Sequence, residues 1–266
     1  MKNIQQYSEG HVAFLKGVRR KKIIIWSVRA GLLAALIGLW ELCAHFELID
    51  PFLTSSPSRV IATIGELYAA GNLFYHIGVT LMETITGFFA AVILGYAIAV
   101  LLWMSDGARK VFEPYIVVLN ALPKIALGPL IIIWMGTGYT AIIFMTIIVS
   151  IIVCIMNTLT GFLQVDTTML TLMRALGASK WQTLAKLVIP ASIPQLMNTL
   201  KVAVGLAWIG SIMGEYIVSR AGLGYLIVYG GQVFRLDLVM TATIILCALA
   251  GAMYAVVAAV EKLLTR

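Results

Sequence analysis

Charged side chains are scarce in this sequence. Asp, Glu, Lys and Arg together supply 12% of its 266 residues, whereas residues of hydrophobic type supply 61%. A soluble globular domain carries about 25% charged and roughly 45–50% apolar residues. The composition therefore argues against a water-soluble fold, and the length leaves room for several bilayer crossings of about 20 residues each.

Cysteine is also rare, and the three that occur, Cys43, Cys154 and Cys247, each lie inside a long apolar run. They form no Cys-x-x-Cys motif and do not cluster in sequence, so we expect no metal site. Cysteines in such surroundings pack as small hydrophobic side chains.

Motifs of catalysis are missing as well. The sequence has no Gly-x4-Gly-Lys-Ser/Thr phosphate-binding loop, so we do not expect this chain to hydrolyse ATP itself. It also lacks a His-Glu-x-x-His motif, paired acidic clusters and a serine nucleophile elbow, which argues against an intramembrane enzyme. We therefore predict no catalytic residues.

What the sequence does contain is six apolar runs long enough to cross a bilayer. They fall roughly at residues 23–46, 78–104, 115–135, 139–159, 193–218 and 238–264. Hydrocarbon offers backbone groups no partner outside their own segment, so these spans must be helices, and the prolines of the third make it the least regular. We predict an all-α membrane protein with six transmembrane helices, in which residues 1–22 precede a single transmembrane domain at residues 23–264.

The basic residues indicate an orientation for these spans. With the amino terminus inside, thirteen of the nineteen lysines and arginines fall in cytoplasmic segments, and three, Arg59, Arg220 and Arg235, fall outside. This bias predicts that both termini are cytoplasmic. The net charge of +7 is then mainly an orientation signal, and no basic and aromatic cluster forms a groove for nucleic acid. The first span is too long for a signal peptide and is expected to remain as an anchor.

Two connections between spans have helical patterns of their own. After the first span, Ser56 and Pro57 begin a stretch with apolar residues at helical spacing, which predicts a short outer helix that is either a plain connector or a surface for an outside partner. The second is the inside loop at about residues 160–190. There Asp166, Thr167 or Thr168 could cap a first helix that Gly177 would end.

The same loop predicts a second helix, which Ser179 caps and Pro190 ends. The first helix presents Leu170, Met173 and Leu176 as an apolar face, which must be buried against lipid headgroups or a partner protein. The basic residues of this loop, Arg174, Lys180 and Lys186, are fewer than the four to eight that lipid-binding clusters use, and this favours a partner protein.

Three segments of the sequence support a family resemblance. They are RALGASKWQTLAKLVIPASIP (Arg174 to Pro194), ALPKIALGPLIIIWMGTG (Ala121 to Gly138) and GEYIVSRAGLGYLI (Gly214 to Ile227). In their order along the chain, among six spans, these segments resemble the permease subunits of type I ABC importers, in the branch that carries nitrate, sulfonates and taurine. The likeness covers roughly residues 30–264.

The cytoplasmic loop of that family has the pattern Glu-Ala-Ala, three residues, Gly, nine residues and Ile-x-Leu-Pro. Here Gly177 and Pro190 match its spacing, whereas Thr171-Leu172-Met173 replaces the opening triplet. The resemblance implies a coupling helix between spans four and five that docks on an ATPase, and the mismatch puts in doubt a charged contact at Thr171. The residues assigned to it are Thr171, Met173, Arg174, Ala175, Leu176, Gly177, Ala178 and Ser179.

The resemblance also implies partners and a location. Two ATPase subunits, which would hold ATP and Mg, lie beneath two permeases, here identical copies, and an external solute-binding protein delivers the cargo. The chain itself would bind no cofactor. It would lie in the bacterial inner membrane and form the pathway for a sulfonate, taurine, nitrate or a similar small nutrient.

Several polar residues inside the spans are candidates for the pathway. Lys124 lies in a Pro- and Gly-rich break, where it could meet an anionic cargo or pair with Glu83 or Glu113. Asn120 could line the path or join helices. Glu215 belongs, by resemblance, to the outer gate, or else it forms a salt bridge that fixes the loop near Arg220.

Two further features complete the prediction. Lys201 lies about 12 Å into span five and either faces the inner vestibule or snorkels back to the surface. Small residues at four-residue spacing in spans two and five indicate close helix contacts.

An ion-coupled secondary carrier is the main alternative function. Such a carrier also needs polar residues near the midplane, but it predicts inverted halves and a short loop between spans four and five. The sequence shows no halves with matching broken helices, so an ATP-driven importer is the preferred interpretation.

Overall fold

The computed structural model describes residues 9–264, and for residues 9–16 and 51 it describes only the backbone. The parts of the predicted terminal segments at residues 1–8 and 265–266 lie outside the described residues. Within residues 9–264 the chain is helical and contains no strand. The helices are α1 (Glu9–His45), α2 (Pro51–Thr54), α3 (Pro57–Ala69), α4 (Leu73–Met104), α5 (Asp106–Ala121), α6 (Gly128–Met135), α7 (Tyr139–Leu163), α8 (Thr167–Ala175), α9 (Lys180–Thr183), α10 (Ile189–Ala191), α11 (Ile193–Val218), α12 (Leu223–Gln232) and α13 (Leu236–Leu264).

Five helices in the described part of the chain are long and apolar enough to cross a membrane. They are Gly17–His45 within α1, together with α4, α7, α11 and α13. The sixth predicted span is a broken pair: Asp106–Ala121 and Lys124–Met135 meet at an angle of 87°. The prediction of six apolar segments is thus confirmed if the bent pair counts as one span. The bend follows Pro123, which has no N–H to continue a helix and disfavours helical geometry at the preceding residue.

The described residues divide into two compact units, with the boundary between Ala62 and Thr63. In the first unit, α1 is followed by the single turn of α2 and by the start of α3. Ser56 Oγ accepts the Arg59 N–H at 3.4 Å, and Glu41 Oε2 accepts the Ser58 N–H at 3.0 Å. These two acceptors satisfy free N–H groups at the start of α3, as the serine-proline signal predicted.

In the second unit, α4, α7 and α11 pack closely together. Their contacts use small residues, because close approach of backbones is what stabilises helix pairs in lipid, where burial of apolar area gains little. Cβ atoms added at Gly87 and Gly210 would both overlap Thr146, and one added at Gly95 would lie 2.7 Å from Cys154 Cβ. The small-residue contacts that the sequence indicated are therefore present.

A core of large side chains fills the rest of this unit. Phe88 of α4 and Trp208 of α11 pack with Leu223 of α12 and Leu246 of α13, all with at most 6% of their surface exposed. This cluster fixes α12, a short helix that lies between two spans. A second cluster around Phe162 and Val188 joins the end of α7 to the segment that follows α9.

Candidate functional site

Most residues predicted to be functional lie at one of the two ends of the second unit. We call the end that carries Thr167–Ser179 the loop end. Since α7 runs away from Tyr139 and α11 runs towards Val218, both of those residues lie at the other end, which we call the far end. At each end, side chains accept hydrogen bonds from free backbone N–H groups at the start of a helix.

At the loop end, both ends of α8 are capped by their own sequence. Asp166 Oδ1 accepts the Thr168 N–H at 2.8 Å. At the other end, Gly177 has φ +74, its N–H donates to the Arg174 carbonyl, and the Ala178 N–H donates to the Met173 carbonyl, both at 3.0 Å. These two bonds are a Schellman motif, which confirms Gly177 as the helix stop.

The next helix starts at once. Ser179 Oγ accepts the Gln182 N–H at 3.2 Å, and Gln182 Oε1 accepts the Ser179 N–H at 2.8 Å, which completes a capping box. Lys180 Nζ also donates to the Met104 carbonyl at 3.2 Å and so ties the loop to the end of α4. The turn between α8 and α9 is therefore held by paired hydrogen bonds on both sides.

The apolar face of α8 differs from the one predicted. Leu170 packs inward against the Phe162 cluster, and Met173 is half-buried. The side chains that point outward are Met169, Leu172 and Leu176, with 48%, 53% and 72% of their surface exposed. The predicted face was correct at Leu176 and wrong at Leu170 and Met173, because the packing of α8 on the bundle turns those two side chains inward.

The remaining predicted loop residues lie on or next to this outward surface. Thr171, Arg174, Ala175, Gly177 and Ser179 are exposed, and Ala178 is half-buried. The Thr171 hydroxyl donates to the Thr167 carbonyl at 2.8 Å. No charge stands at the position where the family pattern has glutamate, and the outward surface of α8 is mostly apolar.

The prediction that Pro190 ends the second helix was wrong. After α9 the chain continues through a π-helical segment, Leu184–Val188, and then through α10, in which Pro190 lies. Only Ser192 separates α10 from α11. Pro190 lies directly after the π-helical segment, where the wider backbone turn accommodates a residue that cannot donate the next helical hydrogen bond.

At the far end, Glu215 is the centre of the site. Its side chain is 1% exposed, and Oε2 accepts the N–H groups of Gly224 at 2.6 Å and Tyr225 at 3.3 Å. It therefore caps the first turn of α12, where a carboxylate is favoured by free N–H groups and by the helix dipole. Glu215 binds this turn from within the fold, so the predicted salt bridge with Arg220 is not what holds the loop.

Two side chains of α4 complete the cap. His76 Nδ1 accepts the Gly222 N–H at 3.0 Å, and Thr80 Oγ1 accepts the Leu223 N–H at 2.8 Å. Four consecutive N–H groups, from residues 222 to 225, are thus satisfied by side chains from α4 and α11. Gly222, at φ +108, packs against the Glu215 carboxyl group so closely that a Cβ would overlap it.

Glu83 lies one helical turn after Thr80 on the same face of α4. It is also 1% exposed, and its carboxyl group lies against that of Glu215. Glu83 also lines a cavity of about 420 Å³ between α4, α7 and the Ser219–Ala221 turn. We call this the polar cavity; its other polar lining residues include Tyr75, Tyr139 and Arg220.

The other predicted pathway residues, Asn120 and Lys124, lie at the bend between α5 and α6. Lys124 Nζ donates to the Asn120 side-chain oxygen at 3.2 Å and to the Asn120 carbonyl at 3.4 Å. Lys124 thus bonds to the last turn of α5 rather than to Glu83 or Glu113. Asn120 is exposed and Lys124 half-buried, and their hydrogen bonds bring these two side chains together.

Sequence reasoning missed His76 and Thr80, and considered Glu83 only as a partner for Lys124. A signal was available: His76, Thr80 and Glu83 recur at intervals of four and three residues, which places three polar side chains on one face of an apolar helix. Such a face must meet other polar groups inside the protein, and here it meets the start of α12.

Sequence comparison identifies relatives of this chain. A family model described as "binding-protein-dependent transport system inner membrane component" matches residues 91–266. The taurine transport system permease protein TauC of Escherichia coli strain K12 is 25% identical over 240 residues, which cover 88% of this chain and 87% of that protein. The putative aliphatic sulfonates transport permease protein SsuC of Bacillus subtilis strain 168 is 26% identical over 212 residues, covering 80% and 77%.

A solved structure shares the fold. A bacterial alginate ABC transporter, in complex with an alginate pentasaccharide-bound periplasmic protein, contains a chain that superposes with a TM-score of 0.62. The match covers 92% of each chain at 15% sequence identity. The arrangement of helices described above is therefore one that a membrane subunit of an ABC importer adopts.

Proposed function

The chain belongs to the family of binding-protein-dependent transport system inner membrane components, as a permease subunit of the ABC importer class, and we propose that it forms the pathway of an ATP-driven importer for small sulfonates. The permease role follows from the family. The energy source, the partners and the cargo are the proposal.

The outward stripe of α8 is the observation that carries the ATP-driven mechanism. Met169, Leu172 and Leu176 form one apolar surface on a helix of nine residues, and nothing in the described part of the chain covers it. Such a stripe gains stability when it is buried in a hydrophobic groove. The Schellman motif and the capping box hold the helix rigid, so that a movement of the partner is passed to α7 and α11 rather than absorbed in a flexible loop.

An ABC ATPase is the partner that fits this surface. The chain has no phosphate-binding loop of its own, so ATP and Mg would be bound by two partner ATPase subunits. Closing of these subunits on ATP would move the two attached α8 helices and so shift the membrane part between two states. The free energy of nucleotide binding would then bias the pathway.

The other proposed partners are a second, identical permease copy and an external solute-binding protein. The alginate transporter, which shares the fold, was solved with a periplasmic binding protein bound. By the same arrangement the far end of this chain would face the external binding protein, and the loop end and both termini would face the cytoplasm of a bacterial cell. The excess of basic residues in the predicted inside segments supports this orientation.

Small solutes with an anionic sulfonate group are the cargo that the relatives' names and the chemistry of this chain support together. TauC and SsuC are named for taurine and aliphatic sulfonates. In this chain, Lys124 at the helix break and Arg220 at the polar cavity offer positive charge to an anion. A cavity of about 420 Å³ is of the size that holds a small solute.

Co-purification with a cognate ABC ATPase tests the docking surface. Leu172→Asp and Leu176→Asp each place a charge on the outward stripe, and we expect them to abolish recovery of the complex from membranes. Ala185→Asp is the matched control, because Ala185 is also exposed at the loop end but lies outside α8. Full recovery of the complex with both leucine variants would remove the assignment of α8 as the docking helix.

The energy source separates this proposal from an ion-coupled carrier. In proteoliposomes that contain the assembled transporter and its binding protein, we expect taurine uptake to require enclosed ATP. Uptake should persist when proton and sodium gradients are collapsed. Uptake that follows the gradients and ignores ATP would establish the secondary carrier instead.

A further inference from the structure

The contact between the Glu83 and Glu215 carboxyl groups is unfavourable if both groups are ionised. An ionised carboxylate only accepts hydrogen bonds, so two of them in contact would repel each other. One oxygen of each group, Glu83 Oε2 and Glu215 Oε1, is buried and receives no hydrogen bond from the protein. A positively charged species between or on these groups is needed to make the contact favourable.

A metal ion does not fit this requirement. In the part of the chain that the structure describes, no group of three His, Cys, Asp or Glu side chains is arranged to hold one. Gly222 and Gly224 pack directly on the Glu215 carboxyl group, which leaves no room on that side for further ligands or for a hydrated ion. A proton needs neither additional ligands nor space.

The surroundings decide which carboxyl group carries the proton. Glu215 accepts two backbone N–H groups at the start of α12 and is in hydrogen-bonding contact with the Thr80 hydroxyl, all of which stabilise a negative charge. Glu83 has no such set of donors. Its contact with an anionic Glu215 is favourable when Glu83 is the neutral acid and donates its O–H.

We propose that Glu83 is a proton-binding site, held as the neutral acid that donates to the Glu215 carboxylate, and that this shared proton fastens the start of α12 to α4. The polar cavity that Glu83 lines gives the proton a route to water. Loss of the proton places two negative charges in contact and weakens the cap on residues 222–225. This site goes beyond the proposed transport function and does not depend on the cargo.

Other titratable and charged groups also face the Glu83–Glu215 pair. Tyr75 and His76 lie on α4, Tyr139 on α7, Tyr216 on α11 and Tyr225 on α12, and Arg220 is in the connecting turn. His76 uses Nδ1 as an acceptor for the Gly222 N–H and is therefore neutral in this arrangement. Arg220 is exposed, so water screens its charge from the buried pair.

Infrared difference spectroscopy of the purified chain detects the proton directly. We expect a carbonyl stretching band of a protonated carboxylic acid near neutral pH that shifts in D2O. The band should be absent from Glu83→Gln and present in Glu113→Gln, since Glu113 is exposed on α5. Absence of the band from the wild type, or its persistence in Glu83→Gln, would overturn the proposal.

Thermal unfolding across pH gives a second, independent readout. The folded chain keeps a proton that an exposed glutamate in the unfolded chain releases, so wild-type stability should fall as pH rises above neutrality. The side-chain amide that Glu83→Gln introduces would also donate to Glu215, so this variant should fold and lose this part of the pH dependence. Equal pH dependence in both proteins would contradict the proposal, and so would a wild-type midpoint that rises with added sodium or magnesium ions.

Discussion

Gly210 of α11 lies so close to Thr146 of α7 that a Cβ atom on Gly210 would be 2.6 Å from the Thr146 Cα. The obstacle is backbone, which cannot move aside as a flexible side chain can. Thr146 also meets Gly87 of α4 on its other side. One threonine thus fixes the spacing of three membrane helices.

Gly210→Ala should therefore destabilise the second unit. Overpacking of a tight interior costs about 1–3 kcal/mol, and we expect a lower unfolding temperature in detergent. Gly205→Ala is the control, since it lies on the same helix with no atom within 4 Å of the added Cβ. It should be neutral or stabilising by up to about 1 kcal/mol, because alanine is the better helix former. Similar losses from both substitutions would disprove the close-packing argument.

Gly177 tests whether the turn after α8 must be left-handed. Its φ of +74 is tolerated by asparagine and strained for valine. We expect Gly177→Asn to retain most ATPase binding and uptake, and Gly177→Val to lose both while the membrane helices still fold. Binding can be measured by co-purification, and folding by the thermal unfolding of the isolated chain. Equal behaviour of the two variants would mean that the turn geometry is unimportant.

Substitution of Lys124 tests whether its positive charge assists uptake of a solute with a sulfonate group. Lys124→Gln keeps a donor for Asn120 but removes the positive charge, so we expect reduced uptake of taurine with unchanged assembly. Lys110→Gln removes a positive charge from the exposed start of α5 and serves as the control. Comparison of initial uptake rates in proteoliposomes decides the matter. Unaltered uptake with Lys124→Gln would leave this residue only a structural role at the bend.

Lys201 forms an ion pair with Glu261 of α13, in which Nζ and Oε2 are 2.5 Å apart. About a fifth to a quarter of each side chain is exposed, at 20% and 27%, so the pair is partly solvated. We expect Lys201→Met and Glu261→Gln each to cost up to about 1 kcal/mol of stability, as exposed pairs do. In a double-mutant cycle the two losses should not add. Full additivity would show that the ion pair does not stabilise the chain, and loss of uptake with normal stability would show that Lys201 acts in the pathway.

Local signals made much of the fold predictable. The apolar runs marked the spans, because a helix in hydrocarbon must satisfy its own backbone groups. Asp166, Gly177 and Ser179 marked the ends of the loop helices, since capping depends on residues within a few positions of one another. The outer helix after Ser56 was predicted for the same reason.

The features that failed depend on distant contacts. The outward face of α8 was misplaced because Leu170 meets the Phe162 cluster, which belongs to another helix. The predicted helix end at Pro190 was wrong because a sequence does not show that helical segments continue on both sides of a proline. The partners of Lys124 and Glu215 were left open or wrongly chosen for the same reason.

The sequence by itself determined the number of spans, their approximate limits, the capped helices of the loop and the family to which the chain belongs. These depend on hydrophobicity, on local hydrogen bonds and on short motifs. Only the tertiary structure decided that the third span bends by 87°, that Thr146 lies between two glycines and that Glu83 meets Glu215. Residues 83 and 215 are brought together by the packing of α4 against α11, and their shared need for a proton arises only when both are buried in one place.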